Sequence, residues 1–368
     1  MKAIRLEAAG GPLAIRDVPI REPGPGEALV RVAGCGVCHT DIGFWKDGVS
    51  TRHGLPLTLG HEISGVVTDA GAGHRGWIGR EVIVPAVLPC GACDLCRSGR
   101  GNACRNQKMP GNDVDGGFAE YVTVPAQGLC KVESRGAYAL SDLSVIADAV
   151  STPYQAVLRS GLAAGDLAIV IGAGAVGTYA VQIASALGAF VIAIDVDPAR
   201  LAAVTAVGAG LTLDAAALEF KALRSAIQSR AAAWGVPAHG WKIFECSGTP
   251  AGQQTAWGCL VPAATLMVIG FTLARTELRL ANLMALDATA QGTWGCLPEL
   301  YPAALALVTS GRVTLEPFIE RHPMSRGPDL LERVAGHAFH RRVILEPDWA
   351  PRIEHESRPE ASGRTVPC

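Results

Sequence analysis

An excess of charge of either sign is missing from this chain. Lys plus Arg number 32 and Asp plus Glu 34, a formal net charge of -2, so no basic field points toward nucleic acid or an anionic membrane. Long apolar runs are missing as well: no stretch approaches the ~20 residues that a membrane-spanning helix needs. The start, MKAIRLEAAGGPLAIRDVPI, alternates charged with apolar residues and lacks the apolar core of a secretory leader. Eleven cysteines, an odd number, then fit a reducing compartment, and a cytoplasmic protein is expected. No internal repeat is visible, which sets aside stacked-repeat folds. At 368 residues the chain is long for one core, and two domains are expected.

What is present changes texture along the chain. Gly, Pro and Val dominate residues 1–130, with short β-rich pieces such as EALVRVAG and REVIVPAVL broken by turn residues. From about Ser151 an apolar run, LAIVIGAG, leads into the small-residue helix pattern AVGTYAVQIASALG and a second run, FVIAIDVD. That order predicts β-α-β and a parallel sheet covered by helices. Further strand-like runs occur at Lys242–Cys246 and Thr265–Gly270, and RRVILEP reads as a closing strand. Residues 347–368 are rich in Pro, Arg, Glu and Ser and read as a mobile tail.

Four cysteines, Cys90, Cys93, Cys96 and Cys104, stand at C-x2-C-x2-C-x7-C. Four thiolates on one short loop match a tetrahedral zinc site, and with no position left for water that zinc is structural. An iron–sulfur run would have a shorter last gap followed by Pro, whereas Arg105 follows here.

Gly172-x-Gly174-x-x-Gly177 lies between an apolar strand and a helix, and Asp195 ends the next strand eighteen residues after Gly177. The first glycine permits a tight turn, the second lets a pyrophosphate approach the backbone, and the third lets helix and strand pack closely. The phosphates would face the free N–H groups of the helix N-terminus. Asp195 would accept from the adenosine ribose hydroxyls and repel a 2′-phosphate, and no Arg follows it directly. NAD is expected over NADP.

Cys38 in GCGVCHTD and His61 in GHE fall in turn-like surroundings of the first domain. A soft sulfur and an imidazole beside a dinucleotide site fit a catalytic zinc, which needs three protein ligands and one open position. Spacing alone does not supply the third ligand.

The set GVCHTD, GHEISG, the four-cysteine loop and the later G-x-G-x-x-G resembles the zinc-dependent alcohol dehydrogenases of the medium-chain dehydrogenase/reductase family, in the right order over residues 1 to about 346. The resemblance implies a GroES-like catalytic domain, 1–150 and 300–346, split in sequence around a Rossmann NAD-binding domain, 151–299. It implies two zincs, NAD as cofactor, a small alcohol or ketone as substrate, and a homodimer or homotetramer. By the same similarity Cys38 and His61 are catalytic zinc ligands. Asp148 stands where relatives commonly place a third-ligand Cys, four residues before the Thr of T-x-Y, and Glu62 competes with it. Asp41 resembles the acid that orients the ligand His. Thr40 resembles the hydroxyl that hydrogen-bonds the substrate alcohol and passes its proton toward the nicotinamide ribose and solvent. Relatives often continue the relay with a His where this chain has Gly43, so His39 is the second candidate for a catalytic role. Thr152 resembles a nicotinamide contact and Arg341 a pyrophosphate contact, with Arg342 adjacent. A zinc-stabilised NAD-binding protein without turnover is the rival class; loss of Cys38, His61 or Thr40 would favour it, and all three are present.

Longer stretches, among them GFWKDGVSTRHGLPLTLGHEISG and VIADAVSTPYQ, resemble members of that family that oxidise a ring hydroxyl on a CoA thioester. Trp45 and Trp294, with Phe44 and Leu297, are the candidates for an apolar ring pocket. Arg52, His53, Arg97, Arg100 and Lys108 are the cations available for CoA phosphates. Free cyclic alcohols are the alternative substrates.

Overall fold

The computed structural model describes residues 1–349. The N-terminal part contains β1 (Lys2–Leu6), β2 (Leu13–Asp17), β3 (Glu27–Gly36), α1 (His39–Trp45), β4 (Leu57–Thr58), β5 (Glu62–Ala70) and β6 (Glu81–Val84). It continues through α2 (Asp94–Arg97), β7 (Tyr121–Pro125) and β8 (Cys130–Lys131). A 3-10 segment, Ser141–Ala147, leads into α3 (Ser151–Arg159). The next unit runs β9 (Leu167–Ile171), α4 (Ala175–Ala186), β10 (Phe190–Asp195), α5 (Pro198–Thr205), β11 (Leu211–Asp214) and α6 (Phe220–Ala233). Then come β12 (Lys242–Glu245), α7 (Pro250–Gly258), β13 (Thr265–Val268), α8 (Ala281–Leu286) and β14 (Thr289–Gly292). The chain closes with α9 (Tyr301–Thr309), β15 (Ile319–Pro323), α10 (Gly327–Ala335) and β16 (Arg342–Glu346).

Strands β9 to β14 form one parallel sheet in the order β11-β10-β9-β12-β13-β14. Its middle strand β9, LAIVI, is buried at every residue, as a strand covered by helices on both faces must be. The order reverses between β9 and β12, and at such a crevice an open α/β sheet binds its ligand. A seven-stranded sheet runs β15-β16-β3-β5-β6-β8, with β7 also on β3. The C-terminal strands β15 and β16 thus complete the N-terminal sheet, and the GroES-like plus Rossmann-type architecture is present. No helix among the described residues is long and apolar enough to cross a membrane.

Most of the expected tail, residues 350–368, lies outside the described residues. Its first residues are anchored, contrary to expectation. Asp348 accepts from the Ser325 backbone N–H at 2.8 Å and its hydroxyl at 2.6 Å, and Trp349 packs against the core of the first domain. An aromatic ring and a paired carboxylate hold the chain two residues beyond Pro347.

Candidate active site

The register of β3 against β5 brings two distant motifs together. Gly36 pairs with Glu62, so Cys38, two residues beyond one strand, meets His61, just before the other. Strand β16 adds itself on the far side with Ile344 opposite Gly36, which carries Arg342 to the same corner. Gly36 leaves the necessary room, because a Cβ there would stand 2.1 Å from Glu62 Oε2. Asp148 arrives from the end of the 3-10 segment, immediately before α3.

Ligand-type atoms of Cys38, His61, Glu62 and Asp148 lie within 4.8 Å of one another. Asp148 Oδ2 is 3.7 Å from Cys38 Sγ and 3.5 Å from His61 Nε2. His61 is buried, its Nδ1 lies 3.2 Å from Asp41 Oδ1, and its Nε2 has no hydrogen-bond partner. A ring held at one nitrogen by a carboxylate and left open at the other is the arrangement of a metal-ligating histidine. Thiolate, imidazole and carboxylate form a donor set that fits zinc with an open fourth position. Burial by itself would raise the Asp148 carboxyl, but the His61 ring and the Thr152 hydroxyl hold it down to about 2. Burial opposes a proton on His61, while Asp41 and Asp148 draw one on.

Glu62, within reach of the same cluster, already has partners. Both its oxygens accept from the Arg342 guanidinium, Oε2 from Nε at 2.9 Å, and Oε1 also accepts from the Ala149 N–H at 3.1 Å. Burial disfavours a charge on Arg342, yet Glu62 keeps it protonated. Arg341 is exposed, so the neighbour named second in the sequence reading is the arginine that the strand turns inward.

Around this cluster Thr40 Oγ1 lies 3.6 Å from Cys38 Sγ, and Thr152 donates to Asp148. The exposed His39 ring stacks on His337 with centroids 5.3 Å apart. The sequence offered no signal for His337. Trp45 is corrected by the structure: it is 2% exposed, sits in the core, and its indole N–H donates to Gly11 O at 2.7 Å. Phe44 joins the same core and is 7% exposed. Trp294 is 45% exposed, and Leu297 is half-buried beside it in a segment that Gln155 of α3 straps down.

The four-cysteine lobe is closed on itself. Its sulfurs stand 3.4 Å (Cys93–Cys96), 3.5 Å (Cys90–Cys104), 3.7 Å (Cys93–Cys104) and 3.9 Å (Cys90–Cys96) apart. Sulfurs about 2.3 Å from a shared tetrahedral centre are ~3.8 Å apart, whereas a disulfide needs about 2.05 Å. The lobe fits one zinc and no disulfide.

On the parallel sheet Gly172 turns with φ +89°, and a Cβ on Gly177 would stand 1.7 Å from Gly172 O. Gly174 opens α4 and faces empty space, its nearest neighbour being Arg200 Nη1 at 3.9 Å from a built Cβ. That bare backbone at a helix N-terminus is a phosphate cradle. Asp195 accepts from the N–H groups of Ala173 (2.6 Å), Val196 (2.8 Å) and Asp197 (2.9 Å). A carboxylate has about four acceptor positions, so one remains for a ribose. Arg200 escaped the sequence reading; its place five residues after Asp195, on the first turns of α5, is the signal that pointed to it.

Residues 24–134 match the Alcohol dehydrogenase GroES-like domain, and residues 175–310 match the Zinc-binding dehydrogenase domain. L-threonine 3-dehydrogenase of Pyrococcus abyssi is 30% identical over 319 residues, 85% of this chain and 88% of that protein. The chain belongs to the zinc-binding medium-chain dehydrogenases. L-galactonate-5-dehydrogenase of Escherichia coli is 28% identical over 86% of this chain and 90% of its own length. The crystal structure of galactitol-1-phosphate dehydrogenase from Escherichia coli superposes with a TM-score of 0.85 at 26% identity, covering 94% of this chain and all of that one. Membership makes the chain an oxidoreductase acting on CH–OH donors, with zinc and a nicotinamide dinucleotide as cofactors.

Proposed function

We propose that this enzyme oxidises a secondary alcohol on a six-membered ring to the ketone with NAD as hydride acceptor, and that the substrate is 6-hydroxycyclohex-1-ene-1-carbonyl-CoA of anaerobic benzoyl-CoA degradation. The observation that carries the dehydrogenase reading is the Cys38–His61–Asp148 cluster with its open His61 Nε2. In this reading Cys38, His61 and Asp148 hold the catalytic zinc, and Cys90, Cys93, Cys96 and Cys104 the structural one. Bound zinc supplies a Lewis acid that lowers the pKa of an alcohol in the open position. Thr40, beside Cys38, would relay the alcohol proton, accepting it while its own passes toward the nicotinamide ribose and solvent. His39 is the further proton candidate, since Gly43 offers no side chain. Asp41 fixes the His61 tautomer, and Arg342, tied to Glu62, is charged beside the cofactor crevice. Gly172, Gly174 and Gly177 cradle the pyrophosphate, Asp195 and Arg200 read the adenosine ribose, and Thr152 holds Asp148 next to the nicotinamide.

Asp148 is the third ligand in preference to Glu62, because Glu62 is already engaged by Arg342 and Ala149. Asp148→Ala is then expected to lower zinc from two per chain toward one, with a loss of affinity of at least about 10–100-fold. Unchanged zinc by elemental analysis would transfer the role to Glu62. Asp195→Ala is expected to raise the KM for NAD roughly tenfold or more and to relax rejection of NADP, since a hydrogen bond to a charged group contributes about 1.5–3 kcal/mol. The ratio of kcat/KM for the two cofactors checks it; an unaltered ratio would place cofactor choice elsewhere.

The CoA part rests on the longer sequence stretches quoted above. Arg52, His53, Arg97, Arg100 and Lys108 are all exposed. Arg52 lies 3.5 Å from Asp113, and Arg97 donates to Ala92 O, so phosphates would compete with those partners. Relatives named for galactonate and threonine favour a second reading in which free hydroxy compounds are the substrates. NADH formation from the thioester and from free cyclic alcohols, side by side, separates the two. Strong preference for the thioester supports the first; equal or better turnover of the free alcohols removes CoA and keeps the dehydrogenase. A homodimer or homotetramer is also proposed, because Leu280 and Met284, 71% and 79% exposed, lie on and just before α8, next to the edge strand β14. Sedimentation of the pure protein measures it.

A further inference from the structure

Neither of the helical segments that flank Asp148 sets its direction. The 3-10 segment ends at Ala147 and α3 begins at Ser151. Between them Asp148, with φ -142° and ψ -59°, is neither helical nor extended. Within this break the Val150 N–H reaches back to Val145 O at 3.1 Å, and the Thr152 N–H to Asp148 O at 2.9 Å. A ligand carried on such a break keeps its aim only if the backbone around it is held by neighbours.

The peptides on both sides of Asp148 are held, each by a different element. The Ala149 N–H, on the peptide after Asp148, donates to Glu62 Oε1 at 3.1 Å. Ala147 O, on the peptide before it, accepts from the Tyr301 hydroxyl at 2.5 Å and from the Ser151 hydroxyl at 3.2 Å. Tyr301 opens α9 and is 0% exposed. Its hydroxyl also accepts from the Ala86 N–H at 3.2 Å, two residues beyond β6. One phenol oxygen therefore joins α9, the end of β6 and the last carbonyl of the 3-10 segment.

A peptide is planar, so the only soft backbone dihedrals of Asp148 are the two between these peptides. Holding both planes fixes φ and ψ together, and with them the direction of the Cβ that carries the carboxylate. We infer that Tyr301 is a positioning residue for the third zinc ligand: its hydroxyl fixes the Ala147–Asp148 peptide and so aims Asp148 at Cys38 and His61. This rests on the reading that Asp148 holds the catalytic zinc. A buried hydroxyl is costly unless its bonding capacity is used, and a Phe ring would fill the same space without that cost. What the hydroxyl adds is the tie to Ala147 O. Without it, Ala147 O keeps Ser151 and the Ala86 N–H at 3.4 Å, so the fold should survive while the peptide gains freedom.

Tyr301→Phe in the full chain removes the hydroxyl and keeps the ring. Two readouts follow it: the dissociation constant of the catalytic zinc, by competition with a chelator, and the visible d–d bands with cobalt in that site, which report ligand geometry. Tyr138→Phe is the control, because the Tyr138 hydroxyl also accepts from a backbone N–H, that of Leu315 at 3.1 Å, and pairs with Thr314. Circular dichroism and the retained four-cysteine zinc show that each variant is folded. Tyr301→Phe is expected to weaken the zinc about tenfold, the low end for losing a group that supports a metal ligand, and to shift the cobalt bands. Tyr138→Phe is expected to change neither. Asp148→Ala, measured beside them, separates the two readings. If it weakens the zinc and Tyr301→Phe does not, the positioning role is overturned and the ligand stands. If Asp148→Ala keeps its zinc, the ligand reading falls and this proposal with it. Equal weakening in both tyrosine variants means a general loosening of the fold and also overturns the proposal.

Discussion

Replacing Cys38 with alanine is expected to leave one zinc per chain instead of two and to lower kcat/KM by about 10³ or more. A bound metal contributes several kcal/mol of charge stabilisation at the reacting oxygen, and 1.4 kcal/mol is a factor of ten. The fold should survive, because the backbone around Cys38 is held by groups other than its sulfur. Asp41 Oδ2 accepts from the Cys38 N–H at 2.9 Å, and Asp41 Oδ1 accepts from the Gly60 N–H at 3.1 Å. The remaining zinc belongs to the four-cysteine lobe, which shares no ligand with the cluster. Elemental analysis and NADH formation are measured on the same preparation. A variant that retains two zincs, or that turns over normally with one, would remove Cys38 from the metal.

The largest loss of stability is expected from Arg342→Ala. Glu62 and Arg342 are a buried ion pair, 0% and 7% exposed. Removing one member of such a pair leaves the other charge buried and uncompensated, which costs about 3–5 kcal/mol. Arg341→Ala, one residue away but exposed, should change stability by no more than about 0.5 kcal/mol. Replacing Glu62 and Arg342 together by leucine should cost less than the two single losses summed, since neither charge is then stranded. Equilibrium urea unfolding of the zinc-loaded variants reads all of these. Equal stability of the Arg341 and Arg342 variants would mean that the pair does not hold β16 to β5.

Those two arginines also mark where sequence reasoning stops. Side chains alternate on a strand, and a shift of one residue exchanges its faces. RRVILEP reads as a strand, but only its pairing with β3 decides which arginine turns inward. The four-cysteine lobe and the glycine turn were legible because their chemistry is local: the ligands lie within fifteen residues in one case, and turn and helix are contiguous in the other. The catalytic cluster was legible only through resemblance, since Cys38, His61 and Asp148 are brought together by strand register and a 3-10 segment that no spacing reveals. Trp45 was ambiguous because a large aromatic beside a site motif looks the same whether it faces a substrate or fills the core. Its bond to Gly11 O, across 34 residues, and its 2% exposure come from packing that no local pattern encodes. Asp348 and Trp349 were assigned to the tail on composition, which carries no information about a surface they dock on.

Direct transfer of a hydride from the carbinol carbon of a secondary alcohol to a nicotinamide dinucleotide is the reaction expected of this chain. The most direct measurement offers the zinc-loaded enzyme NAD and a cyclic secondary alcohol deuterated at the carbinol carbon, then weighs the reduced cofactor by mass spectrometry. One deuterium is expected in each reduced cofactor, and the same experiment with Cys38→Ala should yield almost none. Reduced cofactor that carries hydrogen from the solvent, or no reduction with any secondary alcohol, would contradict it.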